Sequence, residues 1–306
     1  MKDEMKKSDE KNLREAIQGV EGEARWHEPL SRHTTLKIGG PADLLVIPQD
    51  IESLARLVRQ AHQLELPIFV LGGSNLLVRD GGIRGIVVKL SRLQRITDPE
   101  ETEIEAEGGV TLSRLSRHAL SRGLGGLEFA LGIPGTVGGA VMMNAGTREG
   151  EMSDLLTGIR IIQSDGTIRT LSRKEMAFGY RWSRFPRGVI VSARMKLRKA
   201  GKAEVQKRME GFNDRRKATH PLALPNAGSV FKNPNGTFAA RLVEAVGLKG
   251  RRIGDAQVSE RHANFIVNRG RATARDVLQL IRLIGKRVEK ETGITLELEW
   301  KVVGSE

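Results

Sequence analysis

Three short runs bring together side chains that could do chemistry. Tyr180-Arg181-Trp182-Ser183-Arg184-Phe185 holds the only tyrosine of the chain. Arg181 offers a planar fork of donors that suits a carboxylate or oxyanion, although packed aromatics with solvated arginines account for the run equally well. Asn226-Ala227-Gly228-Ser229-Val230-Phe231-Lys232-Asn233-Pro234 puts a hydroxyl, an ammonium and an amide on one loop. Serines in such turns ordinarily bond the nearby backbone; the cation and amide that follow make a ligand site the competing reading. Near the C-terminus Glu297 and Glu299 share the polar side of an alternating segment, where a solvated carboxylate is the ordinary case. Periodicity does not choose between them.

Two glycine segments complete the set: Leu71-Gly72-Gly73-Ser74-Asn75-Leu76-Leu77-Val78 and Gly132-Ile133-Pro134-Gly135-Thr136-Val137-Gly138-Gly139. Each follows an apolar run, and its small residues let backbone N–H groups approach an anion closely. The spacing of Gly132, Gly135 and Gly138 is wrong for G-x-G-x-x-G, and no glycine run leads into Lys-Ser or Lys-Thr. A pyrophosphate held by two separate loops points away from Rossmann and P-loop folds.

Composition removes several alternatives. With no cysteine there is no disulfide, thiolate metal site, iron–sulfur cluster or cysteine nucleophile, which suits a reducing cytosol. The six histidines show no metal-ligand spacing, so no metal is expected. Ser229 lacks a G-x-S-x-G elbow, which argues against an acyl-transfer triad. The net charge of +13 would suit nucleic acid, but the basic residues are dispersed and aromatics make up only 4%. A basic surface also attracts small, multiply charged ligands. No stretch reads as a signal peptide or membrane span, so a soluble, cytoplasmic protein without a nucleic-acid or membrane partner is expected.

The elements that must position these residues read as α+β. Residues 1–30 form a charged lead-in. The apolar face of 51–65, the runs 67–71 and 83–90, and the loop between those runs make a first unit over 31–98. A strand at 103–107, a helix at 111–122, a hairpin turning at Ser164-Asp165-Gly166 and an alternating strand at 189–197 make a second, over 99–200. A charged helix at 202–217 leads to a C-terminal α/β unit over 201–306. It contains a helix at 237–246, a strand at 264–268, a long helix opened by a Thr273/Asp276 capping box, and a last strand over 294–303.

In order and content, these motifs resemble the UDP-N-acetylenolpyruvoylglucosamine reductase family over roughly 31–304, in its compact, type II form. The resemblance implies a two-part FAD-binding region of the vanillyl-alcohol-oxidase or PCMH-like kind, followed by a substrate-binding domain. It implies bound FAD, NADPH as electron source, and reduction of the enolpyruvyl ether of UDP-N-acetylglucosamine to UDP-N-acetylmuramate for peptidoglycan. It assigns FAD contacts to Gly72, Gly73, Ser74, Asn75, Leu76, Gly132, Ile133, Pro134, Gly135, Gly138, Gly139, Asn144 and Gly146. Y-R-x-S-x-F makes Arg181 the active-site arginine, and A-G-S-x-F-K-N-P makes Ser229 the proton donor. The spacing to Gly304 selects Glu299 as the catalytic glutamate. Tyr180, Lys232, Asn233 and Gln257 fall to the substrate. Two places depart from the pattern: Thr147-Arg148, where relatives often carry a small residue and Tyr, and Trp300-Lys301 in place of Val-Arg.

Overall fold

The computed structural model describes residues 10–306, which fall into two compact units. One unit comprises residues up to Trp26, Leu44–Gly72 and Gly85–Asp214; the other comprises His27–Asp43, Gly73–Arg84 and Arg215–Glu306. Both are therefore discontinuous in sequence, and the first glycine segment is split between Gly72 and Gly73.

The first unit contains two sheets. A four-stranded sheet runs in the order Gly22–Trp26, Ala42–Pro48, Ile83–Val88, Ile68–Val70. The helix Ile51–Gln63 begins where the Asp50 carboxylate accepts the Ser53 N–H at 2.8 Å, a cap that also holds the Asp50 carboxyl below its ordinary range. Its Leu54, Leu57, Val58 and Ala61 are buried with Leu44, Val46, Ile86 and Val88 of the sheet. Leu13 and Ala16 join this core, and Gly22–Trp26 is the edge strand. The part of the expected lead-in that lies within the described residues is thus built into the fold.

The second sheet is antiparallel, in the order Ile168–Ser172, Leu156–Ile162, Val189–Lys196, Glu103–Glu107, Ile96–Glu100. Ile159, Ile161, Ala193, Met195, Ile104 and Ala106 bury one core with Leu112 and Leu115 of the Thr111-capped helix Leu112–Ser121. Short elements on this core carry the second glycine segment and a hairpin in which Ala177–Gly179 pairs with Trp182–Arg184.

The other unit has the antiparallel order Asn226–Ser229, Phe265–Asn268, Ala256–Val258, Arg252–Ile253. Helix Ala274–Thr292 has the expected Thr273/Asp276 capping box and stops at Gly293, whose φ of 71° is open to glycine at little cost. Val277, Leu280, Ile284 and Val288 bury its stripe. One expectation needs correction. The segment 294–303 is not a continuous strand: only Lys301–Val303 is, paired in parallel with Leu76–Val78, and Leu298 forms an isolated bridge to Phe231. The alternation is real, with Trp300 buried and Leu296, Leu298 and Val302 packed against the core, but the segment changes partner midway. No helix among the described residues is long and apolar enough to cross a membrane.

Candidate active site

Within the first unit the two glycine segments meet. A Cβ built on Gly72 would find Gly139 Cα as its nearest heavy neighbour, at 4.0 Å; one built on Gly139 would meet Thr136 Oγ1 at 3.8 Å and Gly72 Cα at 4.0 Å. The two backbones thus approach closely, and side chains larger than a methyl at these positions would crowd the junction. Gly132, Ile133, Gly135 and Gly139 are half-buried and Pro134 is exposed, so the loop is accessible. Gly135 has a φ of 130°, where an L side chain is strained. These features fit a flavin pyrophosphate, whose close approach to backbone needs the absence of Cβ atoms.

Gly138 differs from its neighbour. Its N–H donates to the Gly108 carbonyl at 3.0 Å, and a Cβ there would lie 3.3 Å from that oxygen. It seats the loop on the sheet. Asn144 is also committed internally: it is 0% exposed, and its Nδ2 donates to Glu151 Oε1 at 2.7 Å and to the Gly179 carbonyl at 3.2 Å. Its Oδ1 accepts the Ser153 N–H at 2.9 Å. Gly146 is buried and its carbonyl accepts from Arg181 Nη2 at 3.1 Å.

Arg181 occupies the second of two turn positions in the Ala177–Arg184 hairpin, with a φ of 65°. A non-glycine residue there is strained, and the strain is held by surroundings that include the Gly146 bond and a Tyr180 ring 4.8 Å from the guanidinium carbon. Tyr180 and Trp182 are each 46% exposed.

In the other unit the first glycine segment, Ser229 and Glu299 are gathered by backbone bonding. Asn75, at a φ of 53°, donates from Nδ2 to the Glu299 carbonyl at 3.1 Å and accepts the Lys301 N–H at 3.1 Å. The Glu299 N–H donates to the Val230 carbonyl and the Lys232 N–H to the Glu297 carbonyl, each at 2.8 Å. The residues after Ser229 therefore run beside the segment carrying both glutamates. The Gly73 carbonyl accepts the Thr35 N–H at 2.8 Å, Ser74 is half-buried, and Leu76 is only 5% exposed.

Ser229 ends a strand with a register shift between Asn226 and Ser229, and Gly228 at a φ of 83° makes that bulge possible. Asn226 orders the turn by donating to the Pro221 and Leu224 carbonyls and accepting from Gly228 N–H. The two glutamates now separate. Glu297 is exposed and ion-paired with Lys232, whereas Glu299 is half-buried. Lys232 therefore already has an anionic partner. The Asn233 Oδ1 accepts the Ala239 N–H at 3.1 Å at a helix start, and Gln257 is buried with Nε2 on the Gly250 carbonyl at 3.1 Å.

The contacts of two further groups of residues are visible only in the fold. Buried Asn264 accepts the Phe231 N–H and donates to the Phe231 carbonyl, fixing the strand beyond Ser229. His220 and His262 each meet Phe265 edge to face, and Phe265 pairs in register with Ser229. Desolvation, then Arg216 and His262, push the His220 pKa down to about 4. Only their joint approach across 42 residues makes them notable, and no local spacing reveals that.

Comparison with known proteins agrees with this arrangement. Residues 42–172 match the model of an FAD binding domain, and residues 220–303 match that of the UDP-N-acetylenolpyruvoylglucosamine reductase C-terminal domain. The reductase 2 of that name from Symbiobacterium thermophilum is 48% identical over 92% of this chain and 93% of its own length. The Moorella thermoacetica reductase is 48% identical over 94% of this chain and 95% of its own length. The solved reductase from Thermus caldophilus superposes with a TM-score of 0.80 at 41% identity, covering 93% of this chain and all of that one.

Proposed function

This chain belongs to the UDP-N-acetylenolpyruvoylglucosamine reductase family, and from that premise we propose how its own residues serve the family reaction. It is an FAD-containing oxidoreductase that reduces UDP-N-acetyl-3-O-(1-carboxyvinyl)-glucosamine to UDP-N-acetylmuramate with NADPH, in peptidoglycan precursor synthesis. Bound FAD supplies hydride transfer between NADPH and the enolpyruvyl group.

The paired glycine loops, Gly72 opposite Gly139, cradle the pyrophosphate of FAD, with Gly132, Ile133, Pro134 and Gly135 continuing the wall. Gly138 serves by packing rather than by its committed N–H. Asn75 contributes by tying its loop to the backbone of Glu299.

Hydride addition to the terminal enolpyruvyl carbon builds negative charge beside the substrate carboxylate. Arg181 meets that charge with a guanidinium already oriented by the Gly146 carbonyl. Glu299 polarises the same carboxylate, and Ser229 delivers the proton that completes reduction of the double bond. Lys232 takes a substrate phosphate only by exchanging Glu297 for it, whereas Asn233 and Gln257 support the site through the backbone they hold.

The observation that carries this reading is the backbone pairing that sets Ser229 and Glu299 on adjacent segments in the domain matching the family's C-terminal model. Purified protein should be yellow with a flavin spectrum and should oxidise NADPH on addition of the enolpyruvyl substrate. Colourless protein that binds arbitrary duplex in a salt-sensitive way would overturn it.

A further inference from the structure

Asn144 is a fully buried asparagine in a left-handed conformation, φ 43°, whose side chain makes three hydrogen bonds: two anchor it to Glu151 and Ser153, and the third crosses to the arginine hairpin. Its Nδ2 reaches the Gly179 carbonyl, one residue before the Tyr180-Arg181 turn. Glu151 Oε1 accepts from the same Nδ2 and from Ser153 Oγ at 2.7 Å, so the amide is held from both sides. Two further bonds cross the same seam. Ser183 Oγ donates to the Met142 carbonyl at 2.8 Å, and Arg181 Nη2 to the Gly146 carbonyl at 3.1 Å.

Phe178 and Phe185 pack the base of the hairpin against the core, but its tip lies beyond them. Each of its strands is three residues long, and a two-stranded hairpin of this size is marginal in water. Arg181 also occupies a strained backbone position at its tip. Only glycine at 179 leaves room for the Trp182 indole, which lies across it. The placement of the arginine therefore draws on the bonds from segment 142–146 as well as on the short hairpin itself.

We infer that Asn144 is the positioning residue that fixes the Arg181 hairpin to the flavin-loop segment, so that Arg181 is aimed by the same chain segment that ends the second glycine loop. This rests on the role proposed above for Arg181. Asn144 is not required to touch substrate. Its amide serves because one group must accept from the Ser153 N–H while donating to both a carboxylate and a carbonyl, which neither Asp nor Leu can do. Asparagine also tolerates the left-handed backbone better than most residues.

The test separates a structural role from a positioning one. Asn144→Asp places two carboxylates together and is expected to lower the melting temperature. Asn144→Asp combined with Glu151→Gln restores the pair with reversed polarity, since Gln donates to Asp, yet leaves the Gly179 carbonyl without its donor. The double variant should regain thermal stability and FAD content. Its reoxidation by the enolpyruvyl substrate should remain slower by about 10- to 100-fold, the cost of a misplaced catalytic group. Acrylamide quenching of Trp182 fluorescence should rise as the hairpin loosens. If the double variant does not fold, Asn144→Gly keeps the backbone conformation and removes the amide, with the same readouts expected.

Wild-type reoxidation and quenching in a folded variant would overturn the inference, as would slowing in proportion to lost FAD. Arg181→Lys, measured alongside, distinguishes the two failures. Wild-type turnover there would sink the role of Arg181, while increased Trp182 quenching in the Asn144 variants would still report the clamp.

Discussion

Arg181 and Ser229 are presented in opposite ways. Ser229 ends an edge strand of a four-stranded sheet, flanked by backbone bonds in which the Val230 N–H donates to the Asn264 carbonyl and the Glu299 N–H donates to the Val230 carbonyl. Arg181 sits on a three-residue-stranded hairpin, strained at φ 65° and tied by the side chains of Asn144 and Ser183. A ladder of main-chain bonds survives most side-chain replacements, whereas a group aimed by side chains is only as well placed as those side chains. The proton donor should therefore be robust to its neighbours, and the arginine sensitive to them.

The glycine loops offer the largest effect. A Cβ at Gly139 meets nothing closer than 3.8 Å, so Gly139→Val should still fold but, with its methyls crowding the junction with Gly72, bind little FAD, which absorbance at the flavin band reads directly. Gly138→Val pushes instead on the Gly108 carbonyl and should lower stability by ~1–3 kcal/mol, as overpacking does. If both variants keep full flavin, the pyrophosphate lies elsewhere.

Next comes the arginine itself. Arg181→Lys keeps charge but loses the fork, and turnover should fall by ~10²–10³, the cost of losing an oxyanion donor, with FAD content unchanged. A variant with wild-type turnover would reduce Arg181 to a hairpin-tip residue.

The glutamates sharpen the comparison within one segment. Glu299→Gln should cost roughly 10² or more in turnover, as expected for a lost acid–base or polarising group. Glu297→Gln removes an exposed ion pair worth at most about 1 kcal/mol of stability, and turnover should change little. Equal effects would show that the spacing to Gly304 selected the wrong carboxylate.

The smallest expected effect is on stability against pH. His220 has a depressed pKa, near 4 against an ordinary 6.5, so it is neutral in the folded protein. The unfolded chain binds the proton first as pH falls, and stability is lost progressively between about 6.5 and 4. His262, lowered by the same desolvation, adds in the same direction. The melting temperature should fall across that window and less so in His220→Gln; parallel profiles would remove the histidine pair as the cause.

Much of this was legible in the sequence where chemistry and period coincide. The Thr273/Asp276 capping box, the Ile51 helix and the Ser164-Asp165-Gly166 hairpin are local signals, and each is found. Ser229 and Glu299 were legible through motif order, although nothing local places them on paired segments. What could not be read was partnership at long range. The last segment alternates cleanly but changes partner at residue 300, because Phe231 pairs with it on one side of that point and Leu76–Val78 on the other. Asn144, Asn233 and Gln257 carry the right chemistry for ligands, yet their hydrogen bonds go to the protein's own backbone and to Glu151 and Glu260. Only the fold shows which polar groups are already satisfied.

The central claim is that Ser229 gives the proton that completes the reduction, and Ser229→Ala tests it with the half-reactions followed separately by rapid anaerobic mixing. Bleaching of the flavin by NADPH should proceed near the wild-type rate, while reoxidation by the enolpyruvyl substrate should slow by ~10²–10⁴, as for a lost general acid. Reoxidation at the wild-type rate would contradict the account and assign the proton to water or to another residue.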